Sequence, residues 1–150
     1  MRIFAFLFLF SGIFAAFAAA VPARAAEQLP FGAAIGGSSG RALDLYLQSS
    51  TGRARGDLLV APADLNEDGL SEFIVRDKDC APACRFTILA ENDEKVTSLG
   101  IIEARVLAMG DRHSNGVRTL LAYKSAANDY DYTVYVWEPS SGQYMMAGQK

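Results

Sequence analysis

Short apolar runs separated by polar turns dominate the chain from Leu58 onwards. Val, Ile, Phe, Tyr and Thr are frequent in these runs, and each run has the length of a strand rather than of a helix. The eight runs span residues 58–61, 73–76, 86–90, 96–102, 105–109, 119–123, 132–137 and 144–147. The pattern therefore predicts an all-β domain over residues 57–150.

Residues 26–56, which precede these runs, have a different pattern. The stretch 27–40 is rich in Gly and Ser, and we expect a flexible lead-in there. The leucines of 41–48 alternate as in a strand, but together with Tyr46 they also fit one face of a helix. Two serines just before this stretch could cap a helix, so the pattern favours a short N-terminal helix over a strand.

The first 25 residues have the features of an export signal. Arg2 precedes the apolar runs 3–10 and 13–21, and the small-residue triplet Ala23-Arg-Ala25 follows. This order is typical of a secretory signal peptide cleaved after Ala25. A membrane anchor is the alternative, since the segment is long enough to span a bilayer. The triplet favours cleavage, and we expect a periplasmic or secreted mature chain without a stable membrane anchor.

The β region contains an internal repeat. A DxNxDG motif at 64–69 is followed by FIV, and a DxHxNG motif at 111–116 is followed by LLA. Each unit has the order strand, polar turn, strand, long loop, strand, hairpin, strand, which is typical of a propeller blade or a related stacked sheet. The sequence predicts two four-stranded blade-like units, 57–103 and 104–150. These units could stack as two small sheets or share one twisted sheet.

The first polar turn, DLNEDGLSE at 64–72, has an oxygen-bearing side chain at every second position. Calcium prefers six to eight oxygen ligands, and acidic side chains crowded into one loop would repel one another without a cation. Strands rather than helices are predicted on both sides, so the loop is not an EF-hand. A turn held by its own backbone hydrogen bonds is the alternative. The predicted calcium ligands are Asp64, Asn66, Asp68, the carbonyl of Leu70, and Glu72.

This motif resembles the calcium loop of FG-GAP or VCBS-type repeats, which occur in integrin-like propellers and in many secreted bacterial proteins. The two-unit layout with a cysteine pair also resembles a family of small periplasmic proteins. The resemblance covers roughly residues 57–147 and implies a β-repeat fold and a weak calcium site, but no reaction. The second unit departs from the pattern, because Asn115 replaces Asp68 and Thr119 replaces Glu72. We expect a degenerate turn there, with His113 as an exposed turn residue.

Cys80 and Cys84 are the two cysteines of the chain, and they occur in the sequence CAPAC. In an oxidising compartment, such a pair predicts a disulfide that pins a protruding loop. The alternatives have less support. A redox motif has two intervening residues rather than three, and a zinc site needs two further ligands.

Composition and motifs narrow the class of function. Without the first 25 residues, 12 Lys and Arg stand against 17 Asp and Glu, a net charge of −5. The chain has no basic run, so a nucleic-acid partner is not expected. It also lacks the G-x-S-x-G, H-E-x-x-H and P-loop motifs. The sequence therefore favours a non-enzymatic protein.

The aromatic C-terminal third suggests a binding surface. In YTVYVW, Tyr135 and Trp137 share one face of a strand, and Tyr and Trp are good anchors for a protein or sugar partner. Packing between the two units is the alternative use of this face. The predicted partner contacts are Tyr135, Trp137, Ser141 and Tyr144.

Three hypotheses of function follow. The leading one is a non-enzymatic β module, with one weak calcium loop, that binds an unidentified envelope or extracellular protein or glycan. The second is an inhibitor of an envelope enzyme such as lysozyme, because Ser141-Gly-Gln-Tyr144 is similar to the Ser-Gly-x-x-Tyr loop of periplasmic lysozyme inhibitors, although one residue shorter. The third is a metal-dependent hydrolase that uses Asp64 and Asp68.

Overall fold

A computed structural model describes residues 26–34, 36–49, 52–92, 95–126 and 131–147. The signal peptide expected over residues 1–25 lies outside these ranges. The helix α1 spans Gly37–Ser49, and a short 3-10 helix spans Arg55–Asp57. The strands are β1 (Glu27–Gln28), β2 (Leu58–Ala63), β3 (Glu72–Asp77), β4 (Cys84–Asn92), β5 (Lys95–Ala104), β6 (Val106–Ser114), β7 (Val117–Tyr123), β8 (Tyr132–Glu138) and β9 (Gln143–Met146).

The eight apolar runs of the sequence correspond to strands β2 to β9. The prediction of a mostly β domain is therefore confirmed. The helix favoured over 41–48 is also confirmed, although it begins earlier, at Gly37. Within the described ranges, no helix is both long enough and apolar enough to cross a membrane.

The strands form two antiparallel sheets. The four-stranded sheet has the order β2-β3-β4-β5, and the five-stranded sheet has the order β1-β6-β7-β8-β9. Neighbouring strands are also neighbours along the chain, except that β1 pairs with β6 through Glu27 opposite Met109. Because β5 ends at Ala104 and β6 begins at Val106, a single residue, Arg105, joins β5 of the first sheet to β6 of the second.

The two sheets pack face to face, and the main core lies between them. Alternate residues of a strand point to opposite faces, so Ile74 of β3 points into this core while Phe73 and Val75 point away from it. The buried residues of this core include Ala61, Leu65, Ile74, Phe86, Ile88, Ile102, Leu107, Met109, Leu120 and Tyr144.

Helix α1 covers the other face of the four-stranded sheet. Ala42 and Leu43 are fully buried, and they pack with Phe73, Val75 and other residues of that face. This packing explains why a stretch that also fits a strand pattern becomes a helix. The molecule thus has three layers: α1, the four-stranded sheet and the five-stranded sheet.

The residues before α1 also belong to the fold. Strand β1 joins the five-stranded sheet, and Gly32 exchanges two backbone hydrogen bonds with Val60 of β2, at 3.0 and 2.9 Å. Leu29 and Ala34 are buried. The Gly- and Ser-rich sequence did not indicate these contacts, because they depend on open sheet edges elsewhere in the chain.

Candidate functional site

The acidic loop, residues 64–72, joins β2 to β3. Two of its residues have positive φ angles, 58° at Glu67 and 84° at Gly69. Glycine adopts such angles without a steric penalty, so Gly69 suits the position where the chain turns back. The loop is therefore the strand–turn–strand that the sequence predicts.

Hydrogen bonds from backbone N–H groups to side-chain oxygens stabilise the first part of the loop. The carboxylate of Asp64 accepts the N–H groups of Asp68, at 3.2 Å, and Gly69, at 3.0 Å. The side-chain oxygen of Asn66 also accepts the Asp68 N–H, and Oδ1 of Asp68 accepts the N–H of Leu70 at 2.7 Å. Such bonds are typical of Asx turns. The arrangement agrees with the alternative that the sequence left open.

Glu72, the last residue of the loop, is hydrogen-bonded to the start of the loop. Its Oε2 accepts the N–H of Leu65 at 2.9 Å. Burial raises the pKa of Glu72 above its ordinary value, hydrogen bonds from the backbone lower it, and the charges of Asp68 and Asp64 raise it again. The charges of Asp68 and Asp64 therefore disfavour the charged form of Glu72.

The predicted calcium ligands share this loop, but they do not form a ready cage. In the described part of the chain, no three His, Cys, Asp or Glu side chains are grouped so that they could hold a metal ion. The donors nevertheless suit calcium chemically, because each ionised carboxylate has about four lone-pair sites, and the hydrogen bonds use only some of them. The calcium site stays a prediction.

The loop is also anchored on the opposite sheet. Leu65 is only 1% exposed and lies in the core between the sheets. Its carbonyl accepts the N–H of Arg118 in β7 at 2.7 Å. Nearby, Oε1 of Glu67 lies 3.3 Å from Nε2 of His113, beside the second polar turn. The oxygen pattern of the loop does not indicate this bridge, although an apolar residue placed shortly after the strand end, Leu65, is a signal for it.

The aromatic partner candidates lie mostly inside the molecule. Tyr144 is 4% exposed, and its hydroxyl donates to the carbonyl of Arg118 at 2.8 Å. Trp137 stacks edge-on against Tyr144, with ring centroids 5.8 Å apart, and Tyr135 also packs against the core. Tyr144 is therefore a core residue and not a surface contact. These aromatic side chains pack between the two sheets, which is the alternative that the sequence left open for them.

Ser141, the fourth candidate contact, lies on the exposed β8–β9 turn. Its hydroxyl donates to the carbonyl of Glu138 at 3.2 Å, and the hydroxyl of Ser140 donates to the carboxylate of the same residue at 3.0 Å. These serines thus stabilise their own hairpin.

The outer face of the five-stranded sheet carries several apolar side chains. Because Tyr135 and Trp137 point inward, Val134 and Val136 lie on the opposite face. Tyr132, which is 44% exposed, and Met145, which is 36% exposed, belong to the same outer face. No helix or strand of the described ranges packs over it, in contrast to the face that α1 covers.

Cavities lie elsewhere in the molecule. One of about 730 Å³ lies between the start of α1 and the region around β2. A cavity of about 430 Å³ lies beside the cysteine pair, and one of about 400 Å³ lies next to β1. A fourth, of about 340 Å³, lies between β5 and β9. None of these four cavities is lined by a residue of the acidic loop.

The predicted cysteine pair is confirmed in its geometry. The sulfur atoms of Cys80 and Cys84 lie 2.01 Å apart, at disulfide-bonding distance. The bond closes a short loop between β3 and β4, which we call the disulfide loop, residues 80–84.

Comparison with protein-family models, curated proteins and solved structures found no match for this chain. The likeness to FG-GAP or VCBS-type repeats therefore rests on the loop motif and on the spacing of the two units in the sequence.

Proposed function

We propose that the chain is an exported, non-enzymatic β-repeat module whose acidic loop binds calcium weakly and which binds a protein or glycan of the cell envelope or exterior. The bridging position of the acidic loop supports this proposal. The loop leaves one sheet between β2 and β3, and Leu65 anchors it on the other sheet. A cation bound there would stabilise the packing of both sheets.

Electrostatics favour a cation at this position. Asp64 and Asp68 both disfavour the charged form of Glu72, and calcium would relieve that repulsion. To bind the ion, the three carboxylates would have to move closer together, which opposes binding. We therefore expect an affinity in the weak range of extracellular modules, about 10⁻⁴ to 10⁻³ M.

Thermal unfolding of the mature protein in calcium and in chelator tests the calcium proposal. At 10 to 20 times the expected dissociation constant, mass action adds about 1.5 kcal/mol of stability, which raises the melting temperature by roughly 5 °C. Asp68→Ala should abolish the rise. Asn115→Ala, at the corresponding position of the second turn, is the matched control and should keep it.

Magnesium should raise the melting temperature less than calcium, because it demands tighter octahedral geometry and releases its waters reluctantly. If calcium leaves the melting temperature unchanged, the loop is a turn held by its own hydrogen bonds, and the calcium part of the proposal is wrong.

We also propose that the two sheets are related blade-like units. The four strands from β2 to β5 come from the first unit, and those from β6 to β9 come from the second. Each polar turn joins the first two strands of its own unit. The matched glycines of these turns, Gly69 and Gly116, have similar φ angles of 84° and 79°.

We place the partner surface on the outer face of the five-stranded sheet, since it carries several apolar side chains and has no covering element among the described residues. The two other hypotheses have less support. A lysozyme inhibitor would need an available loop around Ser141 and Tyr144, but Tyr144 is buried. A hydrolase would need a substrate pocket at Asp64 and Asp68, and the four cavities described above lie elsewhere.

A further inference from the structure

A cavity of about 430 Å³ lies at one end of the two-sheet core, between the disulfide loop and the start of β6. This volume is within the range of small-molecule sites, about 300 to 1,000 Å³. One part of its wall is apolar and is formed by Leu29, Phe31, Phe86 and Leu107. The rings of Phe31 and Phe86 pack at a centroid distance of 5.6 Å.

Two arginines, Arg76 and Arg105, line the same cavity and converge on the disulfide loop. Nη1 of Arg76 lies 3.4 Å from Sγ of Cys80, and Nη1 of Arg105 lies 3.4 Å from the carbonyl oxygen of Cys80. Two positive charges are therefore held near one residue, although like charges repel each other.

No carboxylate of the described residues neutralises this pair. Neither Arg76 nor Arg105 forms an ion pair there, in a chain that is acidic overall. By contrast, an acidic partner is present for Arg41, Arg53, Arg55, Arg118 and Lys124.

Both guanidinium groups keep donors for a ligand. The group of Arg76 lies over the ring of Phe31, 5.0 Å from its centroid, and its Nη1 donates to the carbonyl of Asp77 at 2.9 Å. In both arginines, Nε and Nη2 make no hydrogen bond to any described residue. Arg105 is exposed, so these atoms of its guanidinium can reach solvent. Arg76 is half-buried, and no buried side-chain nitrogen lacks a partner among the described residues that are not exposed, so its Nε and Nη2 face the cavity or solvent.

The geometry points to a ligand site in this cavity for a small carboxylate with an apolar or aromatic body. The carboxylate would bind to Arg76 and Arg105, because the planar guanidinium matches its two oxygens. The body would lie against Phe31 and Phe86. This site is separate from the acidic loop and from the outer face of the five-stranded sheet, so it does not depend on the function proposed above.

Titration of the ¹⁵N-labelled mature protein with benzoate, followed by NMR, tests this inference. We expect saturable shifts in the backbone amides around Phe31 and Arg105 and in the arginine side-chain N–H signals. Benzamide has nearly the same shape without the charge and should produce no saturable shift. A short peptide ending in Phe, with a free or an amidated terminus, distinguishes a peptide carboxyl terminus from a free small molecule as the ligand.

Arg105→Gln should weaken benzoate binding about tenfold or more, because a charged hydrogen-bonding partner is lost. Arg105 is exposed, so this change should leave the fold intact. Arg112→Gln is the matched control, since Arg112 is also exposed but does not line the cavity. The inference is wrong if benzoate does not saturate, if benzamide binds equally well, or if the two variants affect binding to the same extent.

Discussion

At the residue scale, Leu65 shows how one side chain connects the acidic loop to the rest of the molecule. Leu65→Ala should destabilise the protein by about 2–5 kcal/mol, because it leaves a cavity in the core between the sheets. Leu70→Ala, in the same loop, is the control. Leu70 is 71% exposed, so its loss should change the free energy of unfolding by less than about 0.5 kcal/mol. Urea unfolding of both variants measures the difference, and equal effects would contradict the anchoring role of Leu65.

Glu72 should make stability depend on pH. Burial raises its pKa in the folded state above the ordinary value of 4.5, so the folded state binds the proton more tightly than the unfolded state. The resulting stabilisation is present below pH 4.5 and is lost as the pH rises through the folded pKa. Glu72→Gln, which has no charge to bury, should become more stable relative to the wild type as the pH increases.

Urea unfolding at pH 4 and pH 7 in chelator, with both proteins compared at each pH, measures this effect. A difference that stays constant would show that Glu72 titrates alike in the two states. A difference that shrinks as the pH rises would show that the hydrogen bond from Leu65 outweighs burial.

At the scale of elements, α1 is held by its contacts with the four-stranded sheet. Leu43→Ala should destabilise the protein by about 2–5 kcal/mol, since Leu43 is fully buried between the helix and the sheet. It should also speed hydrogen exchange in the amides of α1. Gln48→Ala, at an exposed position of the same helix, should do neither. Unchanged exchange in Leu43→Ala would mean that α1 does not depend on this contact.

The disulfide loop should contribute modestly to stability. In the chain-entropy view, closing so short a loop contributes about 2 kcal/mol. Replacing both Cys80 and Cys84 by Ser should therefore lower the free energy of unfolding by about that amount or less. Chemical denaturation without reductant measures it. A much larger loss would indicate that the two cysteines have a packing role beyond the cross-link.

Strands β2 to β9 could be predicted from the sequence because their signal is local: apolar runs of strand length between polar turns. Strand β1 could not, since its two residues, Glu27 and Gln28, are polar and pair only because β6 offers an open edge. Because side chains alternate along a strand, the sequence predicts that Tyr135 and Trp137 share one face of β8. Which face is the core depends on how the sheets pack, and the pattern within one strand does not contain that information.

The candidate sites also contain some features that a local pattern predicts and others that depend on packing between distant residues. The acidic loop is a contiguous motif, so its residues and its position between two strands could be predicted. Its anchoring on Arg118 depends on packing between the sheets. The convergence of Arg76 and Arg105 also joins residues far apart in sequence, and no local pattern reports it.

At the scale of the whole molecule, the two outer faces differ. Helix α1 covers the outer face of the four-stranded sheet. On the outer face of the five-stranded sheet, Met145 and Tyr132 are exposed to solvent. A photo-crosslinking residue at Met145 should therefore yield adducts in intact cells, while the same residue at Gln48, on the exposed side of α1, should not. Denaturing electrophoresis of the exported protein detects the adducts. Equal yields from both positions, or none from Met145, would contradict this partner surface.

The pairing of β1 with β6 has a consequence for the order of folding. Every other strand pairs with its neighbour along the chain, so most of each sheet can form as soon as its own residues are available, with little loop entropy to overcome. Glu27 must wait until Met109 has been synthesised and β6 has formed. We therefore expect that Glu27 and Gln28, although synthesised early, are among the last residues to adopt their native structure.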